Sequence, residues 1–464
     1  MTALAVPPTV GHTTSAVPRS GQWPTAWPLA VLLLGYPLWW ALGVAPLIWA
    51  TMAVPMTFQL LRRRPVRFPP MFWVWALFLV LNLISSVMLD VNAPGTIAVS
   101  HGVGHYLAYF IRTLNYFAVT VVRVYVGNLT EAELPRLRLI RWLSALFVVT
   151  VLGGLAGTFK PTFNYSSPLE RILPATIAKN DFVQQFIHVS TAQIQAELGY
   201  PRPSAPFEYS NAWGNNYSML LVWFVVGALF YASFQRKIFV VLTLAISFVP
   251  VVYSQNRGMW IGLILSVIYL AVRLALRQRY ALFGAIVAGA VLVSVAVVLS
   301  PLQQVIATRI ATPHSNQVRG SLSSDSIKVA ATSPIIGYGS TRSTIGSDKS
   351  ATIGQSPACP RCGNRVIGST GQIWLLLVAQ GFVGAGLYLL FLGQAVIRYW
   401  RDKSPIGMAG VLVLLLAIFY SAFYTALVSP LAITFLALGL LWRNAQARAA
   451  ATGPAIDPGA VPGG

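Results

Sequence analysis

The residue with the most evident chemistry is an arginine at the meeting of two apolar runs, in Asn256-Arg257-Gly258. A guanidinium is planar, stays charged and presents a fork of N–H donors that matches two oxygens of a phosphate group. The glycine beside it permits close approach by another group. An interfacial arginine that only reaches toward water would have the same neighbours. Because a charge at the edge of an apolar run is costly to keep, the anion-binding reading is preferred.

Arg319 lies in a polar stretch ahead of Val329-Ala330-Ala331 and is the second candidate for that cavity, although a solvated loop arginine would look alike in sequence. Arg112 and Arg123 lie about three helical turns apart and so share a face. Arg123 is expected to snorkel inward, whereas Arg112, with Asn115 nearby, is expected to line a polar cavity. The segment from Pro206 to Tyr217 is dense in amides and aromatics. Asn211, Asn215 and Tyr217 are expected to bond sugar hydroxyls while Trp213 packs on a sugar ring. Capping and anchoring of a span end explains the same residues equally well.

These residues sit in a chain of 464 residues that is 56% hydrophobic and 9% charged. Its mean hydropathy is +0.66, which places it among integral membrane proteins. The formal net charge of +21 does not point to nucleic acid, because the basic residues lie in short clusters between apolar runs, the pattern of the positive-inside rule. Apolar runs of about 20 residues are expected at about 24–41, 44–61, 69–89, 104–126, 142–158, 212–233, 238–254, 258–275, 280–300, 372–397, 406–426 and 429–443. The fold expected is therefore an all-α membrane protein of about twelve transmembrane helices.

Basic clusters at 62–67, 136–141, 236–237, 273–279, 398–403 and 443–448 fall on one side of such an arrangement, which makes that side cytoplasmic. Both termini are then inside a plasma or inner membrane, with residues 1–23 and 444–464 read as disordered tails flanking a membrane domain over 24–443. Two long loops, about 160–211 and 300–371, face outward. In the first, 175–198 has apolar residues at near-helical spacing and is expected to lie as one helix along the membrane surface, with His188 a solvated or capping residue. In the second, Ser321 to Ala331 is expected to form a short helix before the turn Ser333-Pro334-Ile335-Ile336-Gly337-Tyr338-Gly339. Cys359 and Cys362 are too few for a complete zinc site and are expected to form a small local disulfide outside the cell. No metal and no cofactor is expected.

The order of motifs resembles the O-antigen ligase and polymerase family. It runs from Asn211-Ala212-Trp213-Gly214 entering a span, through Ser254-Gln255-Asn256-Arg257-Gly258-Met259-Trp260 at an outer boundary, to a long loop with Arg319 and Ser333 to Gly339, and then Gly371 to Gly384. The resemblance covers about residues 200–390 and implies a metal-independent glycosyltransferase of the C-type membrane class. It implies as partners a polyprenyl-diphosphate-linked glycan donor, a glycan or lipid acceptor and the surrounding membrane lipids. In this resemblance Arg257 and Arg319 hold the donor diphosphate. The family usually carries a His-Asn pair at the start of the span that begins near Gln372, with the His in an acid-base role, and this chain has Thr370-Gly371-Gln372 there. Gln372 is then a substrate-binding candidate, and the base falls to His314, Glu208 or Asp348.

A transporter or flippase for lipid-linked glycans is the competing reading. Transporters tend to place broken helices and charged pairs near the midplane, whereas this chain has few acids in its spans and gathers arginines toward one side. A polysaccharide polymerase of the same family remains a second alternative, and a structural scaffold a third.

Overall fold

A computed structural model of the chain describes residues 25–452 except 64, 100–102, 180, 195–200, 231–232, 279, 282, 285–287, 290, 292–301, 311–313 and 345–364. The helices are α1 (Trp27–Leu34), α2 (Tyr36–Ala41), α3 (Ile48–Arg62), α4 (Phe72–Ile84), α5 (Val103–Asn128), α6 (Arg136–Phe159), α7 (Pro168–Ile172), α8 (Ala175–Ala178) and α9 (Asp181–Ile187). They continue with α10 (Ser210–Leu229), α11 (Phe234–Tyr253), α12 (Arg257–Ala275), α13 (Leu302–Ile310), α14 (His314–Thr332), α15 (Gln372–Tyr399), α16 (Pro405–Ser421) and α17 (Ser429–Thr452). Three two-stranded antiparallel ribbons pair β1 (Asn164–Ser166) with β2 (His188–Ser190), β3 (Ala192–Ile194) with β4 (Pro201–Pro203), and β5 (Arg342–Ser343) with β6 (Val366–Ile367).

The molecule is a mostly helical membrane protein. Among the described residues, His105–Asn128, Arg136–Phe159, Phe234–Tyr253, Arg257–Ala275 and Gln372–Tyr399 are long and apolar enough to cross a bilayer, and Phe72–Met88 and Pro405–Ser421 are shorter apolar helices. The run expected at about 280–300 lies mostly outside the described residues.

Apolar surface closes the bundle around an aromatic cluster. Trp75 of α4 lies 4.8 Å from Phe78, 5.0 Å from Phe391 of α15 and 4.8 Å from Phe435 of α17, centroid to centroid. Its Nε1 donates to Thr120 Oγ1 at 2.7 Å, so the one polar atom of the indole is satisfied. Arg123 does not snorkel as expected: its guanidinium lies 4.8 Å over the Phe391 ring, fully buried, because α3, α4 and α17 enclose that face of α5.

The loops depart further from expectation. In place of one surface helix over 175–198, α8 and α9 are followed by β2 and β3. Helix ends at Ile187 because His188–Ser190 pairs with Asn164–Ser166 in the register Tyr165↔Val189. The apolar residues that suggested a membrane face instead pack on one another and on α7, with Ala178, Val183 and Ile187 buried against Leu169 and Leu173. His188 is partly exposed, and rather than capping a helix its Nδ1 lies 3.1 Å from Glu170 Oε2. The helix expected over Ser321–Ala331 is nineteen residues long, His314–Thr332. The last helix runs past residue 443 to Thr452, so residues 444–452 are helical. Asn444 Nδ2 donates to Asp402 Oδ2 at 2.6 Å and Arg448 Nη1 to Asp402 Oδ1 at 2.5 Å.

Candidate functional site

Arg257 opens α12. Gln255 adopts a left-handed backbone conformation (φ 50°), which reverses the chain between α11 and α12, and Asn256 caps the new helix by accepting from Met259 N at 3.0 Å. The same Asn256 Oδ1 accepts from the Tyr424 hydroxyl. Gly258 is required at the next position, because a Cβ there would stand 2.1 Å from the Tyr424 oxygen. The cap, the glycine and Tyr424 together fix where the Arg257 side chain begins.

Arg319 comes from α14 and reaches toward the connection between α16 and α17. Its Nη1 donates to Phe423 O at 3.2 Å, and its guanidinium carbon lies 5.9 Å from the Tyr424 ring centre. Arg202, which sequence reasoning missed, enters from β4. Pro203 holds Arg202 in an extended conformation and pairing with Gln193 fixes its register. Arg202 Nε donates to Ser254 O at 2.6 Å and Nη2 to Asn211 Oδ1 at 3.1 Å, so it ties the end of α11 to the start of α10. Its only sequence signal is an arginine flanked by prolines ahead of the Asn211 segment.

These three arginines line one chamber of about 590 Å³, together with Asn211, Asn256, Ser323 and Thr370, and no aspartate or glutamate is among its described lining residues. The chamber therefore attracts anions. A second chamber of about 660 Å³ shares Asn211, Arg319, Thr370, Phe423 and Tyr424 with the first and adds Arg112, Asn115 and Tyr209. Arg112 Nη1 donates to Ser340 Oγ at 3.1 Å. A third chamber of about 300 Å³ carries Trp40, Gln185, Gln193, His188, Glu208 and Tyr209, and it shares Gln185, Gln193 and Tyr209 with the second. Burial pushes the Glu208 carboxyl up to about 7 and raises the Tyr209 phenol further above its ordinary value. Among the described residues, no three of His, Cys, Asp and Glu gather as metal ligands.

The turn after α14 is docked by a broken helix. At Gly381 α15 leaves helical geometry (φ 68°, ψ −172°), and the interruption frees carbonyls that an intact helix would use. Two are taken by the turn after α14: Tyr338 N donates to Val378 O and Gly339 N to Ala379 O, each at 2.8 Å. Phe382 N returns a bond to Pro334 O at 2.8 Å. The Ser333–Gly339 motif is thus a docking element, and it sets the pitch of the helix that carries Arg319. Arg342 adds a second anchor: its Nη2 donates to the Met88, Leu89, Val91 and Tyr338 carbonyls. Burial pulls its pKa down to about 10, so it stays charged at neutral pH.

The structure brings Arg257, Arg319, Arg112 and Asn211 to adjoining chambers. It places the other candidates elsewhere. Tyr217 donates or accepts at Ser247 Oγ at 2.7 Å inside the bundle and stacks on Trp213, whose Nε1 donates to Thr150 O at 2.9 Å. Asn215 is buried on the same helix and lines none of the three chambers. The reason is that α10 is central, buried against α6, α16 and α17, so these side chains face neighbouring helices rather than a chamber. Gln372 is fully buried and clamps the connection that carries Tyr424: Nε2 donates to the Tyr116 hydroxyl at 2.9 Å and Oε1 accepts from Ala426 N at 3.0 Å. His314 begins α14, and its side chain lies outside the described residues, as do Asp348, Cys359 and Cys362 entirely.

Residues 242–389 match the family model described as O-antigen ligase. That segment spans most of α11, all of α12 and α14, and the first part of α15, and so contains Arg257, Arg319 and the docking turn. A search of curated proteins finds no match.

Proposed function

We propose that this chain, O-antigen ligase-like over residues 242–389, is a membrane glycosyltransferase that moves a glycan from a polyprenyl diphosphate to a hydroxyl acceptor on the outer face of the inner membrane. The observation that carries the reading is the chamber in which Arg202, Arg257 and Arg319 converge with no carboxylate in the lining. A diphosphate leaving group gains negative charge as its bond to the sugar breaks, and preorganised guanidinium groups stabilise that charge most where water is scarce. Arg257 at the end of a membrane-crossing helix meets a diphosphate whose lipid tail stays in the bilayer. Arg319 closes on it from the outer loop. Arg202 holds Asn211 and Ser254 in place beside them.

Orientation follows from the opposite end. Contacts link the basic clusters at 62–67, 136–141, 273–279, 398–403 and 443–448: Arg63 to Glu133, Arg136 to Asn444, and Arg273 and Arg448 to Asp402. By the positive-inside rule this end is cytoplasmic, which puts both termini inside and the chambers outside. Cells lacking the protein are expected to accumulate a polyprenyl-diphosphate-linked glycan and to lose the corresponding surface polysaccharide. Unchanged levels of both would refute the assignment.

A further inference from the structure

We propose that the third chamber is the acceptor subsite, taking an uncharged sugar, and that Glu208 is the base that removes the proton from the attacking hydroxyl. This rests on the transferase reading above.

The chamber has the lining a sugar needs. Trp40 and Tyr209 supply aromatic rings to the lining. Gln185 Oε1 accepts from the Tyr209 hydroxyl, and Gln193 Oε1 accepts from Ser210 N at 3.5 Å. Each amide is thereby held by its oxygen, which leaves its Nε2 to donate to a sugar hydroxyl. Neither lysine nor arginine is among the described lining residues, so an anionic ligand is not favoured there, in contrast to the arginine chamber.

Glu208 is the carboxylate in this lining. Its Oε1 is enclosed and has no hydrogen-bond partner among the described residues, an arrangement that a purely structural carboxyl rarely keeps. Tyr209, next in sequence, lines both this chamber and the one reached by Arg319 and Arg112, which connects the third chamber through the second to the arginine chamber. The titratable groups around it are Tyr209, His188 across the chamber with Glu170 behind it, Tyr36 of α2, and Arg112 beyond Tyr209. Both ring nitrogens of His188 face oxygen acceptors, Nδ1 toward Glu170 Oε2 at 3.1 Å and Nε2 toward Asn164 Oδ1 at 3.4 Å, so Glu208 is the acceptor-side group left to take a proton. The burial that raises its pKa also makes it a stronger base than an exposed carboxylate.

In the step, the acceptor O–H gives its proton to the Glu208 carboxylate as its oxygen bonds to the anomeric carbon. The bond from that carbon to the diphosphate oxygen breaks, and its electron pair leaves with the polyprenyl diphosphate held by Arg257 and Arg319. Protonated Glu208 then returns the proton to water.

The test uses inner-membrane vesicles that contain the endogenous lipid-linked glycan and the full-length protein, with transfer measured from pH 5 to 9. The wild type is expected to lose transfer as pH falls through about 7, where Glu208 is protonated. Glu208→Gln is expected to lose about a hundredfold or more of the transfer rate and to lose that acid limb, while lipid-linked donor still co-purifies with it. Glu208→Asp is expected to retain part of the rate with the limb displaced. A Gln variant with near-normal rate and an unchanged limb overturns the proposal, and so does a limb that persists in Glu208→Gln and moves in His314→Gln. If the Gln variant fails to insert, an unmoved limb in Glu208→Asp overturns it. Absence of transfer by the wild type would instead refute the transferase reading itself.

Discussion

The two ends of the molecule use arginine in opposite ways. At the end assigned to the cytoplasm, arginines meet acids of the same chain: Arg63 pairs with Glu133, Arg136 and Arg443 with Glu131 at 2.6 and 3.0 Å, and Arg448 with Asp402 at 2.5 Å. At the other end, Arg202, Arg257 and Arg319 line a chamber whose described lining holds no acid. The chain has only 11 acidic residues against 32 basic ones, so many arginines lack an acid to pair with, and some, such as Arg202 and Arg342, are held by carbonyl and amide oxygens instead. A charge neutralised within the protein contributes to stability. One that lines a cavity can also be stabilised by an anion that enters it.

The largest effect that would sharpen this contrast is expected at the chamber. Arg257→Lys and Arg319→Lys each keep the charge but lose the fork, and each should lower transfer about a hundredfold or more, equivalent to about 3 kcal/mol of transition-state stabilisation, with insertion unchanged. On the proposal that both act on one diphosphate, the double variant should lose far less than the product of the two. Near-normal transfer by either single variant, assayed in membranes with lipid-linked donor, would remove that arginine from the chemistry.

At the opposite end the readout should change from activity to stability. Arg443 is buried and its Nη2 donates to Thr130 O, Leu134 O and Glu131 Oε1. Arg443→Leu should cost about 1–3 kcal/mol through the carbonyls left without a donor, seen as a lower melting midpoint in detergent, while turnover per folded molecule stays within about twofold of wild type. A specific loss of turnover without a stability change would break the contrast.

The smallest effect is expected at Glu133. Burial would raise its carboxyl pKa, yet the hydrogen bonds from Arg63 and Thr130 outweigh burial and leave it below the ordinary value. A depressed carboxylate contributes stability that is present above its unfolded pKa and lost as pH falls through the folded one. Glu133→Gln should therefore cost about 0–1 kcal/mol at pH 7, and the difference from wild type should close as pH drops through the carboxylate range. A gap in melting midpoint that stays constant down to pH 3 would contradict the ion-pair account.

Much of this was legible in the chain. Among the described residues, five of the roughly twelve expected runs answer to helices long and apolar enough to cross a bilayer, and Arg257 stands out because a charge between two such runs is rare. Arg319 was marked by the loop motifs around it. Arg202 was not, since a β-ribbon between Gln193 and Arg202 closes over a segment whose pairing no local pattern encodes. Tyr217 and Trp213 were misread for a related reason: the amide and aromatic content of α10 is the same whether the helix faces a sugar or another helix. The surface helix expected over 175–198 failed because β2 finds its partner at Asn164–Ser166, and strand pairing over that separation overrides local helical periodicity.

By itself, then, the sequence determined the membrane character, five of the apolar helices, the gathering of basic residues between apolar runs and the arginines worth testing, since these depend on composition and spacing along one segment. Only the tertiary structure decided that Arg202, Arg257 and Arg319 share a chamber, that Gly381 breaks α15 so the Ser333–Gly339 turn can dock on Val378 and Ala379, and that Glu208 lines a chamber beside Tyr209 with its Oε1 enclosed. Each of those depends on segments far apart in the chain meeting at hydrogen-bond distance, and that distance is set by packing, which no single stretch of sequence contains.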